Sequence, residues 1–252
     1  MEDKYQFAKE MVLEAGDFLR QHLHDELEIE EKGHFTDLVT QLDKAVQTRL
    51  TDCILTRYPT DRILGEESPE HEPMGQGKVW VIDPIDGTTN FIVQQADFAI
   101  LLAYFENGVG QFGFIYNVIE DKLYHGGGRF PVYENDRLLA HFKSKSLKEG
   151  LVGLNAGLYA QNVDGLADFA DQTLGTRSIG SAGISFSHVL TGRLLAQASY
   201  VYPWDYAAAS ILGEKLGYTL MTTKGAKPAF YGRECVILAP TEKIREIKGY
   251  LQ

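Results

Sequence analysis

The stretch Trp80-Val81-Ile82-Asp83-Pro84-Ile85-Asp86-Gly87-Thr88-Thr89-Asn90-Phe91 decides how the rest of the chain is read. Val79 to Ile82 is a short apolar run of β-formers, closed downstream by Pro84 and Gly87, and it predicts a buried strand. Two carboxylates, Asp83 and Asp86, stand at the end of that strand. Pro84 fixes its own φ and restricts Asp83 to extended backbone, so the first acid is held stiffly. Gly87 permits a tight turn and a close approach by a ligand. Thr88 and Thr89 add hydroxyls and backbone N–H groups beside the acids. Fixed acids next to N–H donors suit hard cations and a phosphate together. Taken alone, the same turn is equally a capped turn with solvated acids.

Composition narrows the classes. The chain has 252 residues, 44% of them hydrophobic, enough for one large domain or two intimate halves. A net charge of -11 argues against a nucleic-acid surface. The two cysteines, Cys53 and Cys235, have no metal-ligand spacing and read as reduced thiols. Met1-Glu2-Asp3-Lys4 lacks the apolar core of a signal peptide, and no apolar run approaches a membrane span. A cytoplasmic protein with no membrane contact is expected.

Helical spacing of Phe7, Ala8, Met11, Ala15, Phe18, Leu19 and Leu23 predicts a helix over 4–24. The acid-rich run from Asp25 to Glu31 reads as a solvated loop. A second helix carries Leu42, Val46, Leu50 and Ile54 on one stripe. Asp43 near its start either favours the helix dipole or faces a metal site. Arg62-Ile63-Leu64 is a short strand, and Gly65-Glu66-Glu67-Ser68 places a second acidic pair after it. The strands from Phe98 to Phe105, from Val109 to Tyr116 and over Lys122-Leu123-Tyr124 form a meander, with Asn107-Gly108 as a hairpin turn. Gly126-Gly127-Gly128 does not open a helix after a parallel strand, so it is no dinucleotide loop. From about Leu151 strands and helices alternate. A helix is expected near Leu166 to Leu174. Ser178-Ile179-Gly180-Ser181-Ala182-Gly183 opens another, as an anion cradle or as tight packing. Pro203-Trp204-Asp205 leads into a helix in which Asp205 is an N-cap or a ligand. His125 and His188 are isolated, and no Ser-His-Asp or cysteine nucleophile competes.

Together these stretches resemble the inositol monophosphatase family of Mg2+-dependent phosphatases. The 80–91 segment fits one signature and Pro203-Trp204-Asp205-Tyr206-Ala207-Ala208-Ala209 the second. Gly65-Glu66-Glu67-Ser68 and Asp37-Leu38-Val39-Thr40-Gln41-Leu42-Asp43 match two further motifs in order. The resemblance implies a layered αβαβα sandwich of mixed α+β and α/β character, usually a homodimer. Residues 1–145 would form an N-terminal α+β half and 146–252 a C-terminal α/β half, in one compact unit. Glu66, Asp83, Asp86, Asp205 and the carbonyl of Ile85 would hold two or three Mg2+ ions. Asp83 would bridge two of them, with Glu66 and Ile85 on one and Asp86 and Asp205 on the other. Asp43, Thr88 and Glu66 would carry catalysis, with Asp43 and Thr88 holding or activating the attacking water. Asp86, Gly87, Thr88, Gly180, Ser181, Ala182 and Asp205 would contact the substrate. The implied reaction is hydrolysis of a small phosphomonoester, inositol 1-phosphate by default, with Li+ inhibition. The alternatives are a broader phosphatase acting on NADP(H), fructose bisphosphate or 3′-phosphoadenosine nucleotides, and a regulatory binding protein with vestigial catalysis. One departure stands out. Inositol-binding members carry a Glu about seven residues before the Trp-Asp aspartate, whereas Ala196-Gln197-Ala198-Ser199-Tyr200-Val201-Tyr202 holds no acid.

Overall fold

The computed structural model describes residues 1–32, 34–35, 38–68 and 74–251. Asp37 and residues 69–73 of the polar loop expected from Pro69 to Lys78 lie outside the described residues. Helix α1 (Glu2–Gln21) is followed by strands β1 (Ile29–Glu31) and β2 (Leu38–Thr40) and by α2 (Gln41–Arg57). Strand β3 (Arg62–Gly65) runs parallel to β4 (Lys78–Asp86), and the short helix α3 (Thr88–Gln94) follows. Then β5 (Ala99–Glu106), β6 (Val109–Asn117), β7 (Lys122–Gly127), β8 (Phe130–Glu134) and β9 (Arg137–Leu138) continue as an antiparallel meander. These strands form one sheet in simple sequence order from β3 to β9. Asn107 and Gly108 both take positive φ, as the tight turn between β5 and β6 requires.

The second half supplies β10 (Val152–Leu154), α4 (Ala156–Ala160), α5 (Leu166–Ala170), β11 (Thr176–Arg177), α6 (Ala182–Leu190) and β12 (Ala196–Val201). It closes with α7 (Pro203–Lys215), β13 (Tyr218–Thr222), β14 (Glu234–Pro240) and α8 (Ile244–Lys248). The strand order in this sheet is β11-β10-β12-β14-β13. Strands β10, β11 and β12 are parallel, while β14 is antiparallel to both its neighbours.

Three cores define five layers. Along β4 the pleat sends Trp80 and Ile82 to one face and Val79 and Val81 to the other. The first face packs on Ala8, Met11, Val12, Leu19, Val46 and Leu50 of α1 and α2. The opposite face packs on Ile184 and Phe186 of α6 and on Ala207, Ala208, Ile211 and Leu212 of α7. The same middle core takes in Val236 and Leu238 of the smaller sheet. The outer face of that sheet, with Val152, Leu154, Ala198 and Ile237, packs on Leu166, Phe169 and Ile247. The result is the αβαβα sandwich. Contact in the middle layer is close: a Cβ on Gly113 of β6 would come within 2.8 Å of the Ala208 carbonyl oxygen of α7.

Several sequence expectations need correction. The first helix starts at Glu2 and ends at Gln21 rather than spanning 4–24. The acidic run is not all loop, because Ile29 to Glu31 pairs with Leu38 to Thr40. All three β1 residues are exposed, so no apolar alternation marks the strand. Gly126 and Gly127 belong to β7. The helix expected over Leu166 to Leu174 ends at Ala170. No helix among the described residues is long and apolar enough to cross a membrane.

Candidate active site

The strand carrying the two acids does not end cleanly. Between Asp83, which pairs with Leu101, and Asp86, which pairs with Ala99, the register of β4 shifts. In a regular strand residues three apart face opposite ways, so the irregularity is what brings the two carboxylates to one side. Asp205 meets them from the third position of α7, where its Oδ2 accepts the Tyr202 amide at 2.7 Å. Carboxylate oxygens of Asp83, Asp86 and Asp205 lie within 4.8 Å of one another. Asp83 Oδ1 accepts the Ile85 amide at 3.1 Å, while its Oδ2 is buried with no hydrogen-bond partner.

Asp86 is braced from the second half of the chain. It accepts the hydroxyl of Ser181, the Ala182 amide at 2.9 Å and the Gly183 amide at 2.8 Å. Ser181 is also the N-cap of α6 and accepts the Ile184 amide at 3.1 Å. Gly87, at φ 89, lets the β4–α3 turn lie against this helix start: a Cβ there would sit 2.9 Å from Ser181 Cβ. Asn90 ties the two segments together, donating to the carbonyls of Asp97 and Ile179, each at 2.9 Å. Gly180 and Ala182, expected at the substrate, do line the cleft, and so does Ser181. The Ser181 hydroxyl and the Ala182 amide are also engaged in holding Asp86.

Glu66 stands at the edge of the cluster. Its amide donates to the Ile82 carbonyl at 3.1 Å, fastening the end of β3 to β4. Its Oε1 accepts Lys32 Nζ at 2.8 Å, and Lys32 also pairs with Glu67. The lysine comes from the end of the β1 segment. Asp43, at the start of α2, completes a capping box: its Oδ2 accepts the Thr40 amide at 2.9 Å and the Thr40 hydroxyl at 2.6 Å. Its other oxygen accepts the Thr88 hydroxyl at 3.2 Å, and that hydroxyl also lies 3.0 Å from the Ile85 carbonyl oxygen. Asp43 thus caps α2 and, through the Thr88 hydroxyl, is linked to the turn that follows β4. Asp205 likewise caps α7 and joins the cluster.

The electrostatics follow from burial. Asp83 titrates well above the ordinary carboxylate range, first because it is buried and then because Glu66, Asp86 and Asp205 repel its charge. Asp205 is raised well above that range by burial and by Asp86 and Glu66. Burial pushes Asp86 up to about 6 against the opposing hydrogen bonds of Ser181, Gly183 and Ala182. Burial also lifts Asp43 to about 6, opposed by Thr40 and assisted by Glu66 and Glu67. For Lys32, burial opposes the charge, and Glu66 and Glu67 override it, so its pKa is raised. A carboxyl whose folded pKa exceeds its unfolded value adds stability at low pH, and that contribution is lost as pH rises through the folded pKa. A cation held by these oxygens would compete with protons for them. The rise in Tm on adding Mg2+ is expected to be larger at about pH 8 than at about pH 5, measured by calorimetric scanning of chelator-treated protein. An equal or larger rise at the lower pH would contradict the competition.

The cluster opens on a cleft of about 740 Å³ that reaches Glu66, Asp86, Gly87, Thr88, Gly180 and Asp205. Sequence reasoning missed the brace on Asp86 from Gly183 and the Lys32 pairing. It also missed Arg177 and Arg233, which line the cleft. A serine just ahead of Ala182-Gly183-Ile184 is an N-cap signal, but its partner lies 95 residues away. Ala198, at the position where the expected acid is missing, is fully buried in the outer core rather than in the cleft.

A family model described as the inositol monophosphatase family matches residues 1–249. The inositol-1-monophosphatase of Bacillus subtilis is 39% identical over 238 residues, covering 92% of this chain and 90% of that protein. The crystal structure of inositol monophosphatase II from Staphylococcus aureus aligns with a TM-score of 0.90 at 28% identity, over 100% of this chain and 96% of that one. A solved IMPase/NADP phosphatase complexed with Mg2+ and phosphate aligns at 0.88 and 26% identity, over 98% of this chain and 95% of its own. With this match along nearly all its length, the chain belongs to the inositol monophosphatase family and is a phosphoric monoester hydrolase.

Proposed function

We propose that the chain hydrolyses small phosphomonoesters, inositol 1-phosphate among them, with Mg2+ held by Asp83, Asp86, Asp205, Glu66 and the Ile85 carbonyl. One observation carries the reading: three acids converge within 4.8 Å, and the most buried of them keeps an oxygen without a partner. Burying several carboxylates together costs stability unless a cation offsets it. An all-oxygen donor set of this kind fits Mg2+, which prefers hard ligands and retains some water. When bound, Mg2+ supplies positive charge to the phosphate and leaving oxygen and lowers the pKa of water in the site.

The chain's own groups do the rest. Asp86 is fixed by three donors, so its carboxylate cannot swing away. Thr88 Oγ1, between Asp43 and the Ile85 carbonyl, is the hydroxyl placed to orient an attacking water. Asp43, raised to about 6, is matched to accepting a proton near neutral pH and is linked to Thr88 for that purpose. In the balanced step, water forms the new P–O bond, the bond to the alcohol oxygen breaks, and the alcohol leaves with a proton. Phosphate release from inositol 1-phosphate is expected with Mg2+ and not after chelation, with activity restored by Mg2+ and inhibited by Li+. Undiminished release from chelated protein would overturn the reading.

A further inference from the structure

Asp205 reaches the cluster from the least secured part of α7. The first four amides of a helix have no partner within it, so an opening turn is held from the side or it frays. Here the neighbours of Asp205 on either side supply the hold. Successive helical residues point about 100° apart, so Trp204, Asp205 and Tyr206 fan out in three directions. Trp204 lies in the middle core and stacks on Tyr202, with ring centroids 4.7 Å apart. Tyr206 is fully buried, and its hydroxyl donates to Glu234 Oε1 at 2.9 Å.

Glu234 opens β14 and pairs in register with Val201 of β12. Its carboxylate also accepts the Ala229 amide, at 3.0 Å to Oε1 and 3.2 Å to Oε2. It thereby joins α7 to the connection 223–233 between β13 and β14. That connection sets Phe230 against the same tyrosine, with ring centroids 5.1 Å apart, and Phe230 meets Phe105 edge-on at 5.5 Å. Phe230 has φ 54. Every other non-glycine residue at positive φ among the described residues is Asp, Asn or Gln. A phenylalanine stays in that region only where its surroundings over-determine it, and such positions gather at functional sites. Neither Tyr206 nor Glu234 is among the described residues that line the cleft. Any part they take in the reaction therefore runs through Asp205.

We propose that Tyr206 and Glu234 are a positioning pair for the phosphatase reaction: their hydrogen bond fixes the first turn of α7, and with it the direction in which Asp205 presents its carboxylate to a cation. The inference rests on the cation reading above and adds to it two residues outside the cleft. A ligand that is already aimed loses less freedom when the cation arrives, so the bond contributes to cation affinity. A bond that only held the fold together would stabilise the protein equally with and without Mg2+.

Calorimetric titration of Mg2+ into chelator-treated, folded protein, with thermal scans in parallel, tests the pair. Tyr206→Phe keeps the ring and removes the hydroxyl, and Glu234→Ala removes the acceptor. Each is expected to raise the Mg2+ dissociation constant about fivefold or more. The double variant is expected to match Glu234→Ala alone, because the two side chains act through one bond. Glu234→Gln keeps an oxygen that can accept both donors and is expected to bind Mg2+ within about twofold of the wild type. A loss in Glu234→Gln as large as in Glu234→Ala would assign the effect to the charge of Glu234 and overturn the inference. Single variants that bind Mg2+ as the wild type does, whatever their Tm, would overturn it too, as would losses that multiply in the double variant. In each of these cases the cation reading stands. Absence of Mg2+ uptake by the wild type would overturn both.

Discussion

Asp83→Asn is expected to lower kcat/KM for Mg2+-dependent phosphate release on the order of a thousandfold or more, while raising the Tm of the metal-free protein. The two signs come from one cause. Asp83 is buried, one of its oxygens has no partner, and Glu66, Asp86 and Asp205 all repel its charge. Without a cation, a neutral amide of the same shape relieves that repulsion and offers N–H donors to the neighbouring carboxylates. The gain is expected to be about 1–3 kcal/mol, a few degrees in Tm for a chain of this size. With a cation, the same change removes the most enclosed anionic ligand. Parallel kinetics and thermal scans check both signs. Activity lost together with metal-free stability would instead mark Asp83 as an ordinary structural residue.

Asp43→Asn is expected to lower kcat by about a hundredfold to ten-thousandfold with little change in KM. An amide oxygen can still accept from the Thr40 amide, so the cap and the helix are retained. What is lost is a carboxylate, raised to about 6, that accepts the Thr88 hydroxyl at 3.2 Å. The acid limb of the kcat profile, expected near pH 6 for the wild type, is expected to vanish in the variant. A variant with kcat within about threefold of wild type and an unchanged pH profile would show that Asp43 only caps α2.

Much of this site is legible in the sequence because its parts are local. A β-run ending in Asp83-Pro84-Ile85-Asp86-Gly87 declares a strand and a stiff acidic turn. Pro203 at the first helical position and Asp205 two residues later declare a helix start. The pairing of these segments was not legible from spacing. It came from resemblance, because convergence of Asp83 with Asp205 depends on α7 being buried between two sheets. Ser181 reads locally as a helix cap, and only the fold reveals that its hydroxyl also holds Asp86. The shift in β4 register that aligns Asp83 with Asp86 leaves no mark beyond Pro84. Strand β1 was invisible because its side chains all face outward. Lys32 follows the acid-rich run with no local signal of its partners, yet its ammonium pairs with both Glu66 and Glu67. Arg233 carries no signal at all, since its place is set by the pairing of β12 with β14 and by its hydrogen bond to the Tyr200 carbonyl.

The most direct measurement is a calorimetric titration of Mg2+ into the chelator-treated, folded protein beside the same titration of Asp83→Asn. Saturable uptake by the wild type, lost or greatly weakened in the folded variant, is the expected result. No uptake by the wild type, or uptake that the substitution leaves untouched, would contradict a cation cage built on Asp83, Asp86 and Asp205.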